Sequence, residues 1–436
     1  MKKRRHPAGR AVAAGKATAK SCRAWLWVPL LSFARGIVLV ALMSVAMVMF
    51  KRLGLSNTWA SCGTALLSLP FVFRQLFHPI VIVLPGRGWW LVGSQVAFCL
   101  SMFGVAWSLD PKGDGSAVWV CLSLASLVGA FHDVLSGDFC NSLLGNRKPS
   151  RLSEAVSLAL LAVGLGLGIT LMIAGDMEVL TRDVEDSWGL AFKVLAFVML
   201  LVAVLMAISL PHGMERMEHL SFGEEWSGLV NDVRRWWTNS HQWAFALFVV
   251  VASLHEFFVW KGVLMFLGDP GSIGGLSLGP QEVAFAQSTL GVFAMMVGFL
   301  IGHAAVRRDG LRKWVLPMIL LATVPDALLL YLAYFMPSSL SVVSACLMVE
   351  SLGCGFGMAG FVSYVRYYGR GRHLPGYGDS CMALLMLSVL LAGVFTGIVQ
   401  DVFGYRRFFI LVVLLSVLAA LSPLLLSLTG KSHPNK

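Results

Sequence analysis

The residues best suited to chemistry in this 436-residue chain are ionisable side chains inside long apolar segments. They fall on the first, fourth, seventh and tenth of twelve apolar runs: Arg35, His132, Asp133, His255, Glu256, Lys261 and Glu350. A charge is costly in hydrocarbon, so an ionisable residue within a membrane-spanning helix is by default a candidate for function. Buried carboxylates can take up and release protons, while Arg or Lys can bind an anionic group.

Residue type suggests how these roles are divided. The candidates for proton coupling are the carboxylates Glu256, Asp133 and Glu350, and Glu256 leads because it lies in the middle of its run. The candidates for substrate binding or ion pairing are Arg35, Lys261, His132 and His255. The two histidines are also candidates for relaying protons.

The alternative for each residue is a structural ion pair that fastens two helices. We favour this alternative for Asp326 and Lys193, which lie on the ninth and sixth runs. Because acids and bases inside the runs nearly balance, we expect them to pair across the helix bundle instead of facing lipid.

The composition is that of a membrane protein. The chain is 57% hydrophobic and 13% charged, whereas soluble proteins carry about 25% charged residues. Each run is close to the roughly 20 residues that a helix needs to span a bilayer. The predicted spans are 25–50, 56–78, 89–108, 116–140, 153–176, 187–210, 241–267, 283–304, 314–336, 340–365, 378–400 and 407–429. We therefore predict an all-α polytopic membrane protein with twelve transmembrane helices.

The longest polar stretch divides the runs into two groups of six, as in the major-facilitator architecture of two six-helix bundles. This stretch combines charges with Trp residues, which predicts an amphipathic helix on the membrane surface. The predicted domains are a basic tail (1–24), an N-terminal bundle (25–210), a cytoplasmic linker (211–240), a C-terminal bundle (241–429) and a C-terminal tail (430–436).

Lys and Arg collect on alternate loops, so the positive-inside rule places both termini in the cytoplasm. The same asymmetry accounts for the net charge of +11. No basic face of a soluble domain remains for nucleic acid. The short basic segments after the second helix of each bundle are candidate gating elements: Arg74, Arg87, Arg307, Arg308 and Arg312.

Enzymatic and metal sites are not indicated. None of the eight Cys residues has CxxC spacing. His255-Glu256 begins like the HExxH zinc motif, but Val259 stands where the second His is required. We expect no cofactor, no metal and no catalysis. The expected partners of a monomeric chain are a small-molecule solute, a proton and the lipid bilayer.

Several segments together resemble the AmpG-like muropeptide permease branch of the major facilitator superfamily, in its Bacteroidetes-type version. The matching segments, spread over residues 25–429, are Lys51 to Thr58, Trp89-Trp90, His132-Asp133-Val134, Glu256 with Lys261, Asp269-Pro270, Gly274 to Leu278, Glu350 with Gly353 to Gly357, and Gln400-Asp401. The resemblance implies a proton-driven permease of the bacterial inner membrane that imports anhydro-muropeptides for peptidoglycan recycling.

The chain departs from that family at positions that bear on transport. Arg35 stands where the family usually has an acid on helix 1, and Pro79 to Ile82 lacks the family's acid after helix 2. Gly137 replaces the second Asp of helix 4, and Asp138 follows it. Two alternatives stay open: the same fold with another solute, such as a sugar, a nucleoside or a drug-like compound, or a sensor or scaffold that transports nothing.

Overall fold

The computed structural model describes residues 27–109, 115–144, 152–210, 222–238, 240–370 and 377–428. Within these ranges every regular element is helical and no strand is present. The predicted tails, 1–24 and 430–436, and the first part of the predicted linker, 211–221, lie outside the described residues.

The described residues form twelve long helical segments in the predicted order, when the bent second segment counts as one and the last long helix is divided at Gly404. They are α1 (Trp27–Arg52), α2 (Asn57–Val72 with Arg74–Val83), α3 (Arg87–Ser108), α4 (Ser116–Leu144), α5 (Leu152–Thr181), α6 (Val184–Ser209), α7 (Ser240–Gly268), α8 (Pro280–Asp309), α9 (Leu311–Phe335), α10 (Leu340–Arg370), α11 (377–403) and α12 (405–428). A further helix, Phe222–Thr238, lies between α6 and α7 and is called the linker helix below.

The described residues contain enough apolar helix for twelve crossings. Ten helices are long and apolar enough to span a membrane, and the bent α2 adds another. The longest of the ten comprises α11 and α12, which are separated at Gly404, where φ is 71°. Glycine adopts this left-handed conformation without the steric cost that a Cβ imposes, so the chain can reverse direction there.

Helix starts are fixed by local capping. The Ser56 hydroxyl accepts a hydrogen bond from the Trp59 amide at the start of α2. The Asp183 carboxylate accepts one from the Asp186 amide at the start of α6. Such caps satisfy amide groups that have no partner within the helix.

Two helices are broken inside the bundle, and both breaks position candidate residues. The two parts of α2 are bent by 42° at Phe73, next to Arg74. α9 is interrupted before Pro325, which cannot donate a backbone hydrogen bond. Asp326 therefore begins a new helical segment inside the bundle.

The packing brings the two sets of helices together. We call α1–α6 the first half and α7–α12 the second half. Within the second half, α7 packs along α11 and α12, and α8 packs along α10. Between the halves, α2 packs against α11 and α5 packs against α8. These are the helices that must separate if the halves move relative to each other.

Candidate functional site

The candidate charges of the first half form one compact ion cluster. The Arg35 Nε donates to Oδ1 of Asp133 at 2.6 Å, which joins α1 to α4. Arg74 of α2 pairs with the other oxygen of the same carboxylate. Asp133 and Arg74 are buried, whereas the side chain of Arg35 stays 32% exposed. Two guanidinium groups therefore share one carboxylate.

Arg74 lies deeper than its assignment to a gating segment implied. It is only 2% exposed and contacts Asp133 inside the bundle. The reason is that α2 does not end near Arg74. It bends at Phe73 and continues to Val83, and this places Arg74 inside the bundle. The gating role of Arg74 stays a prediction, now for a residue inside the bundle and not in a loop.

The other predicted gating residues lie near helix ends. Arg87 donates to the Ile82 carbonyl at 2.9 Å and lies 3.7 Å from a carboxylate oxygen of Asp138. Arg307, Arg308 and Arg312, at the junction of α8 and α9, are exposed.

His132, next to Asp133, is buried, and its Nε2 lies 3.3 Å from the amide nitrogen of Gln95.

Two acids of the second half, Glu256 and Asp326, lie beside one histidine. The His255 Nε2 lies 3.5 Å from Oε1 of Glu256 and 3.7 Å from Oδ2 of Asp326. Glu350 of α10 lies within electrostatic range of both carboxylates. The structure thus brings together three acids from α7, α9 and α10, including Asp326, which the sequence assigned to a structural ion pair.

No cation neutralises these three acids within the described residues. Their only neighbour at ion-pair distance there is His255, which is charged only when it is protonated. Neutral groups supply the other contacts: the Cys354 thiol donates to Glu256 at 2.9 Å, and the Ser351 hydroxyl donates to Glu350 at 3.1 Å. Among the described residues, Asp326 therefore has no Arg or Lys partner, and its neighbour at ion-pair distance is His255.

The two lysines of the predicted charge balance also lack carboxylate partners. Lys261 is buried, and its ammonium donates to the Thr64 hydroxyl at 2.8 Å and to the Ser61 carbonyl at 3.3 Å. Both acceptors belong to α2, because this face of α7 is directed at the first half. Lys193 is exposed on α6 and makes no ion pair with a described residue. Pairing across the bundle thus holds for Arg35 and fails for both lysines.

A buried polar cluster joins the two halves at one end of the bundle. Asp269, at the end of α7, receives the Lys51 ammonium at 2.9 Å and the Asn57 amide at 2.7 Å. Tyr405 donates to the same carboxylate, and Asn57 also donates to Gln400. We call these five residues the Asp269 lock, and this end of the bundle the Asp269 end.

Further contacts between the halves lie around this lock. The backbone amide and the hydroxyl of Thr58 both donate to Asp401, at 2.9 and 2.6 Å. Gly397 of α11 lies so close to α2 that a Cβ there would come within 2.3 Å of the Asn57 carbonyl oxygen. The Asp269 end is therefore closed in this conformation. Toward the other end, the Gln75 amide donates to the Ser380 hydroxyl at 2.9 Å.

Sequence reasoning did not find the Asp269 lock. Asn57, Asp269 and Gln400 look like ordinary polar residues at helix ends, where caps and membrane interfaces are expected. The available signal was that both Asp269 and Gln400-Asp401 fall in segments that carry the family resemblance. Sequence spacing alone cannot show that three helix ends meet.

Comparison with known proteins identifies the fold. No family model and no curated protein matches the sequence. The crystal structure of the nucleoside transporter NupG aligns with a TM-score of 0.63 at 15% identity, over 93% of this chain and 99% of NupG. A single-site mutant of NupG aligns with a TM-score of 0.66 at 14% identity, over 92% and 99%. The chain is therefore a multi-pass membrane protein with the fold of major-facilitator transporters.

Proposed function

We propose that this protein is a secondary transporter of a bacterial inner membrane, which moves a small polar solute by alternating access and couples that movement to protons. The positive-inside pattern supports cytoplasmic termini, so the Asp269 end would face the outside. The fold of the chain is compatible with this function, but the fold alone does not define a solute.

The observation that carries the proposal is the Asp269 lock. Its members come from both halves, and they are polar although nearly all of their surface is buried. Hydrogen bonds exchanged for water contribute about 0.5–1.5 kcal/mol each between neutral groups and about 1.5–3 kcal/mol where one group is charged, as at Asp269. An interface of this kind can be opened and remade more readily than one that buries a continuous apolar core.

Proton coupling is proposed for the acids of the second half, with Glu256 as the group that takes up the proton. The Glu256 side chain is 27% exposed and has no Arg or Lys partner among the described residues. Asp133 would have to give up two guanidinium contacts before it could accept a proton. We therefore place the coupling step at Glu256 and Glu350 and assign Asp133 to holding α1, α2 and α4 together.

The first solute to test is an anhydro-muropeptide, because the sequence resembles that permease branch and the solute carries carboxylates. The partly exposed Arg35 could bind such a group, since a guanidinium can hold a carboxylate through two hydrogen bonds. Nucleosides are the second class to test, because NupG is a nucleoside transporter.

Competition in proteoliposomes separates these solutes. Uptake of labelled anhydro-muropeptide is measured alone and with excess unlabelled muropeptide, nucleoside or neutral sugar. We expect only muropeptide to compete, and Arg35→Gln to weaken uptake more than Arg182→Gln, which alters an exposed arginine outside the candidate sites. Competition by nucleoside alone would transfer the assignment to nucleosides. Specific binding without uptake of any solute would favour a sensor.

A further inference from the structure

We infer that His255 passes a proton between Glu256 and Asp326, so that the coupling site is a relay and not a single acid. This inference rests on the proposed transport function. It gives a role to Asp326, a buried acid with no cation partner among the described residues.

The geometry centres on one nitrogen atom. The Nε2 of His255 lies 3.5 Å from Glu256 and 3.7 Å from Asp326, so the same atom faces both carboxylates. Hydrogen bonds of this type are usually about 2.7–3.2 Å long. The ring is therefore between its two partners, and a shift of less than about 1 Å brings it into hydrogen-bond range of either one.

His255 and Asp326 also have unfilled hydrogen-bonding capacity. His255 is 3% exposed, and neither of its ring nitrogens has a hydrogen-bond partner. The Oδ2 atom of Asp326, which faces the ring, has none either. Buried polar atoms are normally paired, and an unpaired one costs stability. When a proton moves between these atoms, the His255 ring would form a hydrogen bond first with Glu256 and then with Asp326. These are the hydrogen bonds that the present conformation lacks.

Exposure gives the relay a direction. The side chain of Glu256 is 27% exposed, whereas that of Asp326 is 2% exposed. Glu256 can therefore exchange protons with water that enters between the halves, while Asp326 is buried and has the His255 ring and the Ser416 hydroxyl as its close polar neighbours. His255 and Glu256 are adjacent on α7, and Asp326 begins the second segment of α9.

The transfer balances without an outside reactant. The protonated Glu256 carboxyl gives its proton to the lone pair on Nε2, leaving a carboxylate and an imidazolium. The imidazolium then gives the same proton from Nε2 to Oδ2 of Asp326, and the neutral ring is restored. Nδ1 keeps its hydrogen throughout, so no change of tautomer is needed.

The other titratable groups around the relay favour a state in which the acid cluster holds a proton. Glu350 of α10 adds a third carboxylate, and Cys354 donates its thiol hydrogen to Glu256. Like charges in one site disfavour simultaneous ionisation of all three acids. The proton can thus stay within the cluster while the halves move.

Two transport measurements test the relay, with His255→Gln, Asp326→Asn and the matched control Asp186→Asn. Asp186 is exposed at the start of α6, outside the cluster. Gradient-driven accumulation requires proton transfer, whereas solute exchange at equal pH on both sides does not. We expect both relay variants to retain exchange and to lose accumulation, and the control to keep both.

The outcomes separate the relay from the transport function itself. Asp326→Asn protein that accumulates solute like the wild type would refute the relay, and so would loss of exchange together with accumulation. Wild-type protein that shows neither activity would remove the proposed function and the relay with it.

Infrared spectroscopy provides a readout that does not depend on transport. Purified protein is titrated, and the carbonyl stretch of protonated carboxylic acids is followed. The relay predicts that Asp326→Asn removes part of this band and that Asp186→Asn leaves it unchanged. An identical band in the wild type and in Asp326→Asn would show that Asp326 never holds the proton.

Discussion

Charged side chains are arranged differently in the two halves of the molecule. In the first half, one carboxylate, Asp133, is shared by two arginines. In the second half, two carboxylates face a histidine and a third, that of Glu350, lies within electrostatic range of both. The buried lysine of α7 donates hydrogen bonds to neutral oxygens of α2. We propose that the first arrangement holds helices in place and that the second leaves groups able to exchange protons.

The first prediction concerns Glu256. Because it is the most accessible acid of its cluster, Glu256→Gln should abolish gradient-driven accumulation and preserve exchange at equal pH. The matched control is Glu185→Gln in the first turn of α6, which should behave like the wild type. Accumulation by Glu256→Gln at the wild-type rate would remove Glu256 from the coupling step.

The second prediction concerns stability in the first half. Breaking a buried ion pair can cost about 3–5 kcal/mol. Arg74→Gln breaks one of the two pairs at Asp133, and the remaining Arg35 contact should make the cost smaller than that. Arg74→Gln should therefore lower the thermal unfolding temperature of the purified protein clearly, whereas Arg312→Gln, on an exposed arginine, should not. Equal unfolding temperatures for the two variants would contradict a fastening role for Arg74.

The charges themselves could be predicted from the sequence, but most of their partners could not. Hydrophobic runs locate Asp133 and Glu256 inside helices, because few other residues in those runs are ionisable. Lys261 was expected to pair with an acid, since the charges nearly balance. Its actual partners depend on which face of α7 meets α2, and that rotation is set by packing between helices distant in sequence.

At the scale of helices, breaks within two helices position candidate residues inside the bundle. The predicted second span ends near residue 78, whereas α2 bends at Phe73 and continues to Val83. The predicted ninth span is continuous, whereas α9 breaks before Pro325 and places Asp326 beside His255. Average hydropathy is insensitive to such breaks, because the residues on both sides are equally apolar.

The third prediction tests closure at the Asp269 end. A Cβ at position 397 would collide with α2, so Gly397→Val should hold this end open. Cys62 of α2 reports on the opening, because in the closed form its thiol donates a hydrogen bond to the Val394 carbonyl of α11. Labelling of Cys62 by a polar thiol reagent should be faster in Gly397→Val, and also in Asp269→Asn.

Two controls make the labelling specific. Gly93→Val adds the same side chain to α3, where a Cβ would meet no neighbouring atom, so labelling should not change. Cys62→Ser should remove the signal that is assigned to Cys62. If Gly397→Val were labelled no faster than Gly93→Val, the lock would not be a moving interface.

The fourth prediction concerns the linker helix. Its exposed apolar residues share one face, and the helix packs against the end of α2 and the start of α7. These residues are Phe222, Trp226, Val230 and Val233. Such a face is expected to lie in the membrane interface. A nitroxide at Val233 should collide mainly with oxygen, and one at Asn231, on the opposite face, with a water-soluble nickel chelate. Equal accessibility at the two positions would place the helix away from the membrane.

At the scale of the whole molecule, the structure shows one end closed by contacts between the halves. The class and the number of spans could be predicted from composition, run length and the central polar stretch. The closure could not, since Lys51, Asn57, Asp269 and Gln400 come from four separate segments. The proposed transport requires this end to open at another point in the cycle, and the acids proposed for coupling lie in the half that supplies Asp269.

The most direct test of the account is solute accumulation by the wild-type protein. Proteoliposomes are given labelled anhydro-muropeptide, or in parallel labelled nucleoside, with and without an inward proton gradient. The account predicts accumulation of one of these solutes above its outside concentration only when the gradient is present. Folded protein that neither accumulates nor exchanges either solute under these conditions would contradict the claim that this chain is a proton-coupled transporter of such compounds.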